Sequence, residues 1–341
     1  MKAWILEKQA KMEGRPLKLV DVPTPQALDN EIRVKVLVCG VCRTDIHIAE
    51  GDLPLKKSPL ILGHEIVGVV DETGKGVKKF KIGDRVGISW LHSTCGKCSH
   101  CLSGRENYCS DFQCTGWDAD GGFAEYTTVG EDFALSLQGI DMEPEDIAPL
   151  LCPGIAGYCA FKLTKAKKRD RLGLYGFGPT AYCVLRVANH LGIDVYVSTR
   201  SPRHIEEAKI NGAVWAADAM KEEMPCTLNS AIVFPPAGVL VEPALCHVKI
   251  GGIVVLAPVS MSTIEVKNYS KNFWGRDVRT LYNVIKTEGQ EFLSIAGKTN
   301  IRMGRQVFFF EELNEAMILV KKGKIEEPNA IIKVADDWSL G

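Results

Sequence analysis

The stretch RLGLYGFGPTAYCVL, Arg171 to Leu185, decides the fold class of this chain of 341 residues. It opens as a short apolar run, typical of a buried strand, and from Ala181 its apolar residues recur at helical spacing. Between the two stands Gly176-x-Gly178-x-x-Ala181, whose glycines permit a tight turn and bring the backbone close to a bound pyrophosphate. A strand that leads through this motif into a helix predicts a dinucleotide-binding unit.

The sequence on the C-terminal side of this motif continues to alternate between strands and helices. The strand-like run DVYVST precedes a helical pattern that Ser201 caps and that begins at Pro202. SAIVF and IVVLAP are further strand-like runs, separated by LVEPALCHVKIGG, which we interpret as a helix. Strands that alternate with helices form parallel sheets covered by helices, so this region predicts an α/β domain with a doubly wound sheet.

The residues after the second strand of this region bear on the choice of dinucleotide. A site for NAD usually has Asp or Glu there, which accepts a hydrogen bond from the 2′-hydroxyl of the adenosine ribose. This chain instead reads VYVSTRSPRH, which offers Thr199, Arg200, Arg203 and His204 and no carboxylate. A guanidinium among hydroxyl groups suits a 2′-phosphate. We therefore predict NADP as the cofactor, with NAD as the alternative.

The N-terminal part of the chain is rich in strand patterns instead. In EIRVKVLVCG, apolar Ile32 and Val34 alternate with Arg33 and Lys35, which is the period of a half-buried strand. HEIVGVVDETG and GDRVGIS are further strand patterns with glycines at their turns. The C-terminal end holds two helix-like stretches and the strand-like NAIIKV. We predict a β-rich first domain, to which the end of the chain returns.

Composition and charge exclude several classes of protein. The formal net charge of −1 provides no basic field that would attract nucleic acid. The N-terminus has no signal-peptide pattern, and no charge-free apolar run is long enough to span a membrane. We therefore expect a cytoplasmic protein that neither binds nucleic acid nor spans a membrane. Its 341 residues are too many for one core and predict two domains.

The run CGKCSHCLSGRENYC is the strongest local signal. It spaces four cysteines as C-x2-C-x2-C-x7-C, namely Cys95, Cys98, Cys101 and Cys109. Four thiolates on one loop suit tetrahedral zinc, although spacing alone leaves an iron–sulfur cluster as the rival. Protein atoms would fill all four positions, so such a site would hold the loop in shape and do no chemistry.

A second set of potential metal ligands is spread along the first domain. GVCRTDIH contributes Cys42, GHEIVGVV contributes His64 and Glu65, and LCPGIAGY contributes Cys152. A catalytic zinc takes fewer protein ligands and keeps one position for water or substrate. Residues so far apart form a weak pattern by themselves. A buried cysteine near an ordinary core histidine is the competing interpretation.

These motifs, together with GWDADGGFAEY, occur in the order seen in zinc-dependent medium-chain alcohol dehydrogenases, and the resemblance runs over essentially the whole chain. The chain resembles most the bacterial zinc-type and cinnamyl-alcohol-dehydrogenase-like groups. The resemblance implies a GroES-like catalytic domain, residues 1–153 and 285–341, and a Rossmann domain, residues 154–284. It also implies hydride transfer between a primary or secondary alcohol and NADP or NAD, in a homodimer or homotetramer.

The resemblance assigns the metal ligands. Because Cys42, His64 and Cys152 match the family's ligand positions, they would bind a catalytic zinc. Glu65 matches the family's glutamate that exchanges with water on this zinc. The four cysteines of the loop would bind a second, structural zinc, which makes two zinc ions per chain. Asp45 would orient the zinc-bound histidine, because a ligating imidazole usually has such a carboxylate partner.

The resemblance also assigns residues to substrate, proton and cofactor. Thr44 would hydrogen-bond the substrate oxygen, and His47 would carry the proton to solvent through the cofactor ribose. Arg43 would lie near the cofactor pyrophosphate. Trp90 and Trp117 lie beside family pocket positions, where they would form either an aromatic wall or part of the core.

Two other functions compete with this one. A sugar or polyol dehydrogenase of the same superfamily is the first, but such enzymes often alter the four-cysteine loop, which is intact here. A non-catalytic redox sensor that binds zinc and a dinucleotide is the second. The complete set of Cys42, Thr44, His47, His64 and Cys152 argues against the sensor.

Overall fold

The structure is a computed structural model that describes residues 1–336 and 338. The chain forms two compact units. The first comprises Met1–Cys152 together with the chain from Val284 onward, and the second comprises Pro153–Asn283. Each limit lies one residue from the corresponding limit predicted from the sequence.

Strands and helices alternate differently in the two units. In chain order the strands are β1 (Lys2–Leu6), β2 (Leu17–Asp21), β3 (Glu31–Val41), β4 (Leu60–Ile61), β5 (Glu65–Thr73), β6 (Arg85–Ile88), β7 (Leu91–Ser93), β8 (Gln113–Cys114), β9 (Tyr126–Gly130), β10 (Ala134–Ser136), β11 (Arg171–Tyr175), β12 (Asp194–Ser198), β13 (Trp215–Ala217), β14 (Leu228–Val233), β15 (Val248–Leu256), β16 (Asp277–Thr280), β17 (Arg305–Phe309) and β18 (Asn329–Lys333). The α-helices of the described residues are α1 (Arg43–Glu50), α2 (Ser99–Leu102), α3 (Pro144–Ile147), α4 (Pro153–Thr164), α5 (Pro179–His190), α6 (Pro202–Ile210), α7 (Val241–His247), α8 (Lys286–Thr299) and α9 (Leu313–Lys322).

The first unit is built around a seven-stranded sheet. Its order is β10-β6-β5-β3-β18-β17, and β9 also pairs with β3. The first half of β3 alternates between buried and half-buried residues, as its sequence predicts, and the second half is buried throughout. The C-terminal strand β18 lies antiparallel to β3, so the end of the chain completes the sheet of the first unit. The same unit contains two smaller sheets, of order β2-β1-β4 and β7-β8.

The second unit is a parallel sheet of six strands in the order β13-β12-β11-β14-β15-β16. With β11 counted as the first strand, this is the 3-2-1-4-5-6 order of a doubly wound dinucleotide-binding sheet. The helix predicted over LVEPALCHVKIGG is wrong in its second half. The helix α7 ends at His247, because Val248 adopts an extended backbone and pairs with Leu228 of the neighbouring strand β14.

The helices do not include a membrane span among the described residues. No single helix there is both long and apolar enough to cross a bilayer. The consecutive segments Pro144–Leu151 and Pro153–Thr164 reach the required length and composition only when taken together, with a sharp bend between them. Most of their residues are buried inside the protein.

Candidate functional site

Strand register brings two of the predicted metal ligands together. The strand β3 ends at Val41, β5 begins at Glu65, and the antiparallel register sets Gly40 opposite Glu65. Cys42 and His64 therefore leave neighbouring strands at the same edge of the sheet. Cys152 reaches this edge from the 3₁₀ turn Ala148–Leu151, which packs against both strands.

The side chains of four predicted ligands converge at this edge. One donor atom from each of Cys42, His64, Glu65 and Cys152 lies within 4.8 Å of all the others. The two sulfur atoms are 3.8 Å apart. Among the described residues, the buried Nε2 of His64 finds no hydrogen-bond partner. A buried imidazole nitrogen without a partner, beside two thiols and a carboxylate, fits a zinc ion that would satisfy it.

Asp45 fixes the geometry of this set. Its fully buried carboxylate accepts hydrogen bonds from the backbone N–H of Cys42 at 2.8 Å and of Gly63 at 3.2 Å. It also lies 3.2 Å from Nδ1 of His64, which leaves Nε2 for a metal. Burial lowers the pKa of His64, but the charges of Asp45 and Cys42 outweigh it and raise that pKa well above its usual value. A metal ion would take the place of the proton on Nε2.

Glu65 belongs to the set but is held back from solvent. A methyl group added at Gly40 would overlap the Glu65 carboxylate, so the glycine makes the space that this side chain fills. Burial, and then the neighbouring Cys42, raise the pKa of Glu65 well above its usual value. The carboxyl group therefore lies beside the donor atoms as a ligand that an ion could recruit.

The helix α1 carries Arg43, Thr44 and His47 away from Cys42. The hydroxyl oxygen of Thr44 is 3.6 Å from the sulfur of Cys42. His47 is half exposed, and its Nδ1 is 2.8 Å from a carboxylate oxygen of Asp52. Asp52 was not among the residues predicted from the sequence. The available signal was a carboxylate directly after Gly51, the left-handed residue that ends α1.

Arg43 lies on the outer side of the same helix. Its guanidinium donates to the backbone carbonyls of Val320 and Lys321 at 3.4 Å each, in the last turn of α9. Carbonyls at the C-terminal end of a helix attract cations, so this arrangement fixes the direction of the arginine.

A row of aromatic rings begins at His64. The indole of Trp90 meets the His64 ring edge to face, with centroids 4.9 Å apart, and Trp117 stacks on Trp90 at 6.0 Å. The ammonium of Lys56 lies 3.7 Å above the Trp117 ring, and the indole N–H of Trp117 donates to the carbonyl of Pro54. Both tryptophans are partly buried and also pack against the core. Trp90 therefore lies against His64 and both tryptophans pack against the core, whereas their part in a substrate pocket stays a prediction.

The four-cysteine loop forms a second, separate cluster. The sulfur atoms of Cys95, Cys98, Cys101 and Cys109 all lie within 4.8 Å of one another. Hydrogen bonds from the backbone of Lys97 and Cys98 lower the pKa of Cys95 to about 6. Four sulfurs close together, with amides that favour thiolate, fit a tetrahedral metal with every position filled by protein.

The predicted dinucleotide motif opens onto a pocket of ≈ 830 Å³ in the second unit. Gly176 has φ 86°, and a Cβ there would overlap the ring of Pro235, so this turn requires glycine. A Cβ on Gly178 would meet nothing within 4 Å, which leaves room for a phosphate to approach the backbone. Pro179 interrupts the motif without harm, because it occupies the first turn of α5, where its missing N–H is not needed. Ala181 is fully buried.

Residues after the second strand, β12, line the same pocket. Thr199, Arg200 and His204 are among its lining residues, whereas Arg203 is exposed and is not one of the described residues that line it. The pocket also contains Asp218 and Lys221, which the sequence analysis missed. Both follow β13, which lies parallel to β12 and therefore ends at the same edge.

The chain is similar to alcohol dehydrogenases in both sequence and structure. Residues 28–139 match the alcohol dehydrogenase GroES-like domain. A probable alcohol dehydrogenase, AdhA, of Mycobacterium tuberculosis is 39% identical over 331 residues, which cover 95% of each chain. A cinnamyl alcohol dehydrogenase structure from Sorghum bicolor has a TM-score of 0.83 and 26% identity over 97% of each chain. The structure of CAD from Helicobacter pylori, complexed with NADP(H), has a TM-score of 0.82 and 25% identity, also over 97% of each chain. The predicted fold class is confirmed.

Proposed function

Since the chain belongs to the zinc-type medium-chain alcohol dehydrogenase family and is an oxidoreductase that acts on alcohols, we propose that it works with two zinc ions and NADP. Its reaction interconverts primary or secondary alcohols and the corresponding aldehydes or ketones. One observation carries the proposal. Donor atoms from Cys42, His64, Glu65 and Cys152 lie within 4.8 Å of one another, and the buried His64 Nε2 has no partner among the described residues.

Cys42, His64, Glu65 and Cys152, which we call the open set, have different roles at the reacting oxygen. When bound, zinc acts as a Lewis acid that makes an alcohol easier to deprotonate, and NADP accepts the hydride. Cys42, His64 and Cys152 hold the ion, and Asp45 keeps the imidazole in the tautomer that leaves Nε2 for it. Glu65 belongs to the same set and offers a further carboxylate that could bind the ion. An ion held by three protein ligands would remain accessible to the substrate oxygen.

The proton of the alcohol leaves through α1. The hydroxyl of Thr44, next to Cys42 on the first turn, accepts the proton from the alcohol oxygen and donates its own onward. His47, one turn further and half exposed, delivers the proton to solvent. Asp52 supports this role, because it is 2.8 Å from Nδ1 of His47 and so keeps Nε2 for the transferred proton.

The four-cysteine loop has no part in this chemistry. Cys95, Cys98, Cys101 and Cys109 bind the second zinc and leave it no open position. Zinc fits better than an iron–sulfur cluster in a family whose chemistry is hydride transfer, since no step requires a one-electron carrier. The ion stabilises the loop.

The adenosine end of the cofactor selects NADP. The guanidinium of Arg200 and the hydroxyl of Thr199 line the pocket and suit a 2′-phosphate. His204 lines the same pocket and assists them, whereas exposed Arg203 makes a smaller contribution. The similar Helicobacter pylori structure is complexed with NADP(H), which supports this choice. The role of Arg43 near the cofactor pyrophosphate stays a prediction.

The active enzyme is a homodimer or homotetramer. In the described structure β16 is the edge strand of the six-stranded sheet, and Tyr269, Trp274 and Tyr282 near it are more than half exposed. An open strand edge next to exposed aromatic rings suits pairing with a second copy of the chain. Light scattering of the purified protein measures the number of chains directly. The cytoplasmic location stays a prediction.

A steady-state screen tests the proposed activity. Short aliphatic, aromatic and polyol alcohols are offered with NADP and with NAD, and the absorbance of the reduced nicotinamide is followed. Removal of zinc by a chelator should abolish turnover, and added zinc should restore it. Faster oxidation of polyols than of simple alcohols would favour the polyol alternative. Full turnover by zinc-free protein would contradict the metal assignment.

A further inference from the structure

We propose that Asp218 recognises the adenine base of the cofactor by accepting a hydrogen bond from its 6-amino group. The inference rests on the proposed function of the pocket as a dinucleotide site. That function assigns the pyrophosphate and the ribose but leaves the base without a partner. Asp218 lines the pocket, is 8% exposed, and has no role in the chemistry described above.

The order of the strands places the base near Asp218. The pyrophosphate belongs at Gly176 and Gly178, after β11, and the adenosine ribose belongs at Thr199, after β12. The next strand in the same direction is β13, and its last residue, Ala217, pairs with the last residue of β12. The adenosine half of a dinucleotide continues from pyrophosphate through ribose to base. The base therefore lies over the end of β13, where Asp218 follows.

The Asp218 carboxylate is held in place and retains an acceptor. One oxygen, Oδ1, accepts a hydrogen bond from the backbone N–H of Met220 at 3.1 Å. The other, Oδ2, has only a long ion pair among the described residues, 3.9 Å from the ammonium of Lys221. The Lys221 side chain is 81% exposed, so this pair is weak. The backbone carbonyl of Asp218 accepts from Lys221 and Glu222, which fixes the turn.

The walls of the pocket suit a flat apolar ring. Met220 and Val239 line it and are 52% and 67% exposed, respectively. Predominantly apolar walls are typical of ligand pockets. Leu240 lies next to Val239 in the same lining. A purine stacked against these side chains would cover them, and its amino edge would then face the buried Asp218 carboxylate.

The chemistry of a carboxylate sets the preference between bases. An ionised carboxylate accepts hydrogen bonds and cannot donate them. Adenine presents an amino group at position 6, whereas hypoxanthine presents a carbonyl oxygen, which a carboxylate repels. Asp218 therefore favours adenine over a 6-oxo purine. The substitution Asp218→Asn would remove this discrimination, because an amide can donate to the carbonyl as well as accept from the amine.

Binding of NADPH and of its hypoxanthine analogue, deamino-NADPH, measures this preference without turnover. Fluorescence titration gives a dissociation constant for each dinucleotide with the wild-type protein and with Asp218→Asn. The wild type should bind NADPH about tenfold more tightly or better, the range of a hydrogen bond to a charged group. Asp218→Asn should lose most of that ratio, partly by binding deamino-NADPH better. Asp218→Ala should lose it by binding NADPH less tightly.

Controls separate this inference from the proposed function. Asp194→Asn removes an exposed carboxylate at the opposite end of β12 and should keep the wild-type ratio. An unchanged ratio in Asp218→Asn and Asp218→Ala would overturn the inference while leaving the dinucleotide site intact. A change in the ratio of NADPH to NADH binding instead would also overturn it, by assigning Asp218 to the ribose. A wild type that binds no dinucleotide would overturn the proposed function itself.

Discussion

The two candidate metal sites differ in how the chain assembles them. The four cysteines of the loop, which we call the closed set, are near one another in sequence: Cys95 and Cys109 are 14 residues apart. The open set spans 110 residues from Cys42 to Cys152 and depends on the register of β3 with β5. A slip of one residue in that register would turn His64 away from Cys42. The loop site therefore needs only local structure, whereas the open site needs the whole sheet.

The sulfur atoms of the two sites also differ in their surroundings. In the closed set, backbone amides lower the pKa of Cys95 to about 6. In the open set, a hydrogen bond from Cys152 lowers the pKa of Cys42 well below its usual value and raises that of Cys152 well above it. In the loop, a backbone hydrogen bond from Cys95 lowers the pKa of Cys109, but burial and the side chain of Cys95 outweigh it and raise that pKa to about 11, so the loop also places a lowered pKa beside a raised one. In the loop the lowering comes from backbone amides, whereas in the open site it comes from the partner thiol. At either site, a metal ion that binds all the sulfur atoms would displace the protons that remain on them.

The largest effect should come from removing a ligand of the open set. Cys152→Ser should lower kcat/KM for alcohol oxidation by at least about a hundredfold, because even outer partners of metal ligands are worth ~10–100-fold. Steady-state kinetics with NADP measure it. Cys246→Ser, which replaces an exposed cysteine outside both sets, is the matched control and should behave as the wild type. Full activity in Cys152→Ser would remove Cys152 from the reaction.

The next effect concerns the proton path that only the open site has. His47→Ala should lower the rate of alcohol oxidation by about a hundredfold, the low end for a general base, because solvent can partly replace it. Added imidazole should restore part of the rate, and the pH profile of kcat should shift.

His190→Ala, which removes an exposed histidine of α5, serves as the control for this prediction. Asp52→Asn should change the rate in the same direction as His47→Ala but by less, since it only orients the ring. An identical pH profile in His47→Ala and wild type would exclude His47 from the relay.

A smaller effect should separate the two sites by metal affinity. Asp45→Asn should weaken zinc binding at the open site by ~10–100-fold, because the imidazole of His64 loses its orienting carboxylate. Competition with a chelator of known affinity measures both sites in one titration. The four-cysteine loop lies elsewhere and should keep its affinity, which makes it an internal control. Equal weakening of both sites would show that the variant disturbs the fold rather than the ligand.

The dinucleotide pocket also combines a residue from a local motif with one from a different strand. Arg200 follows β12, whereas Asp218 follows the neighbouring strand β13. Arg200→Ala should cost at least about tenfold in kcat/KM with NADP, as a hydrogen bond to a charged group is worth ~1.5–3 kcal/mol. With NAD it should cost little. The ratio of kcat/KM for the two cofactors is the measurement. A wild type that already prefers NAD would contradict the role of Arg200.

Features that depend on local sequence could be predicted, whereas features that depend on distant strands mostly could not. The fold class, the family and the four-cysteine cluster can be predicted because each rests on a local motif or on periodicity. Asp52 and Asp218 were missed because isolated carboxylates carry no pattern until turns and strand order place them. The helix predicted over LVEPALCHVKIGG extends too far because sheet pairing overrides local helical spacing after His247. The catalytic roles assigned to individual residues stay predictions.

The zinc content of three proteins tests the account most directly. Elemental analysis after dialysis should find about two zinc ions per chain in the wild type, about one in Cys152→Ser, and about one in Cys101→Ser. The single ion of Cys101→Ser should support turnover while its chain stays folded, and that of Cys152→Ser should not. Loss of both ions from either variant, or a wild type that binds only one, would contradict two independent sites of which one is open and catalytic.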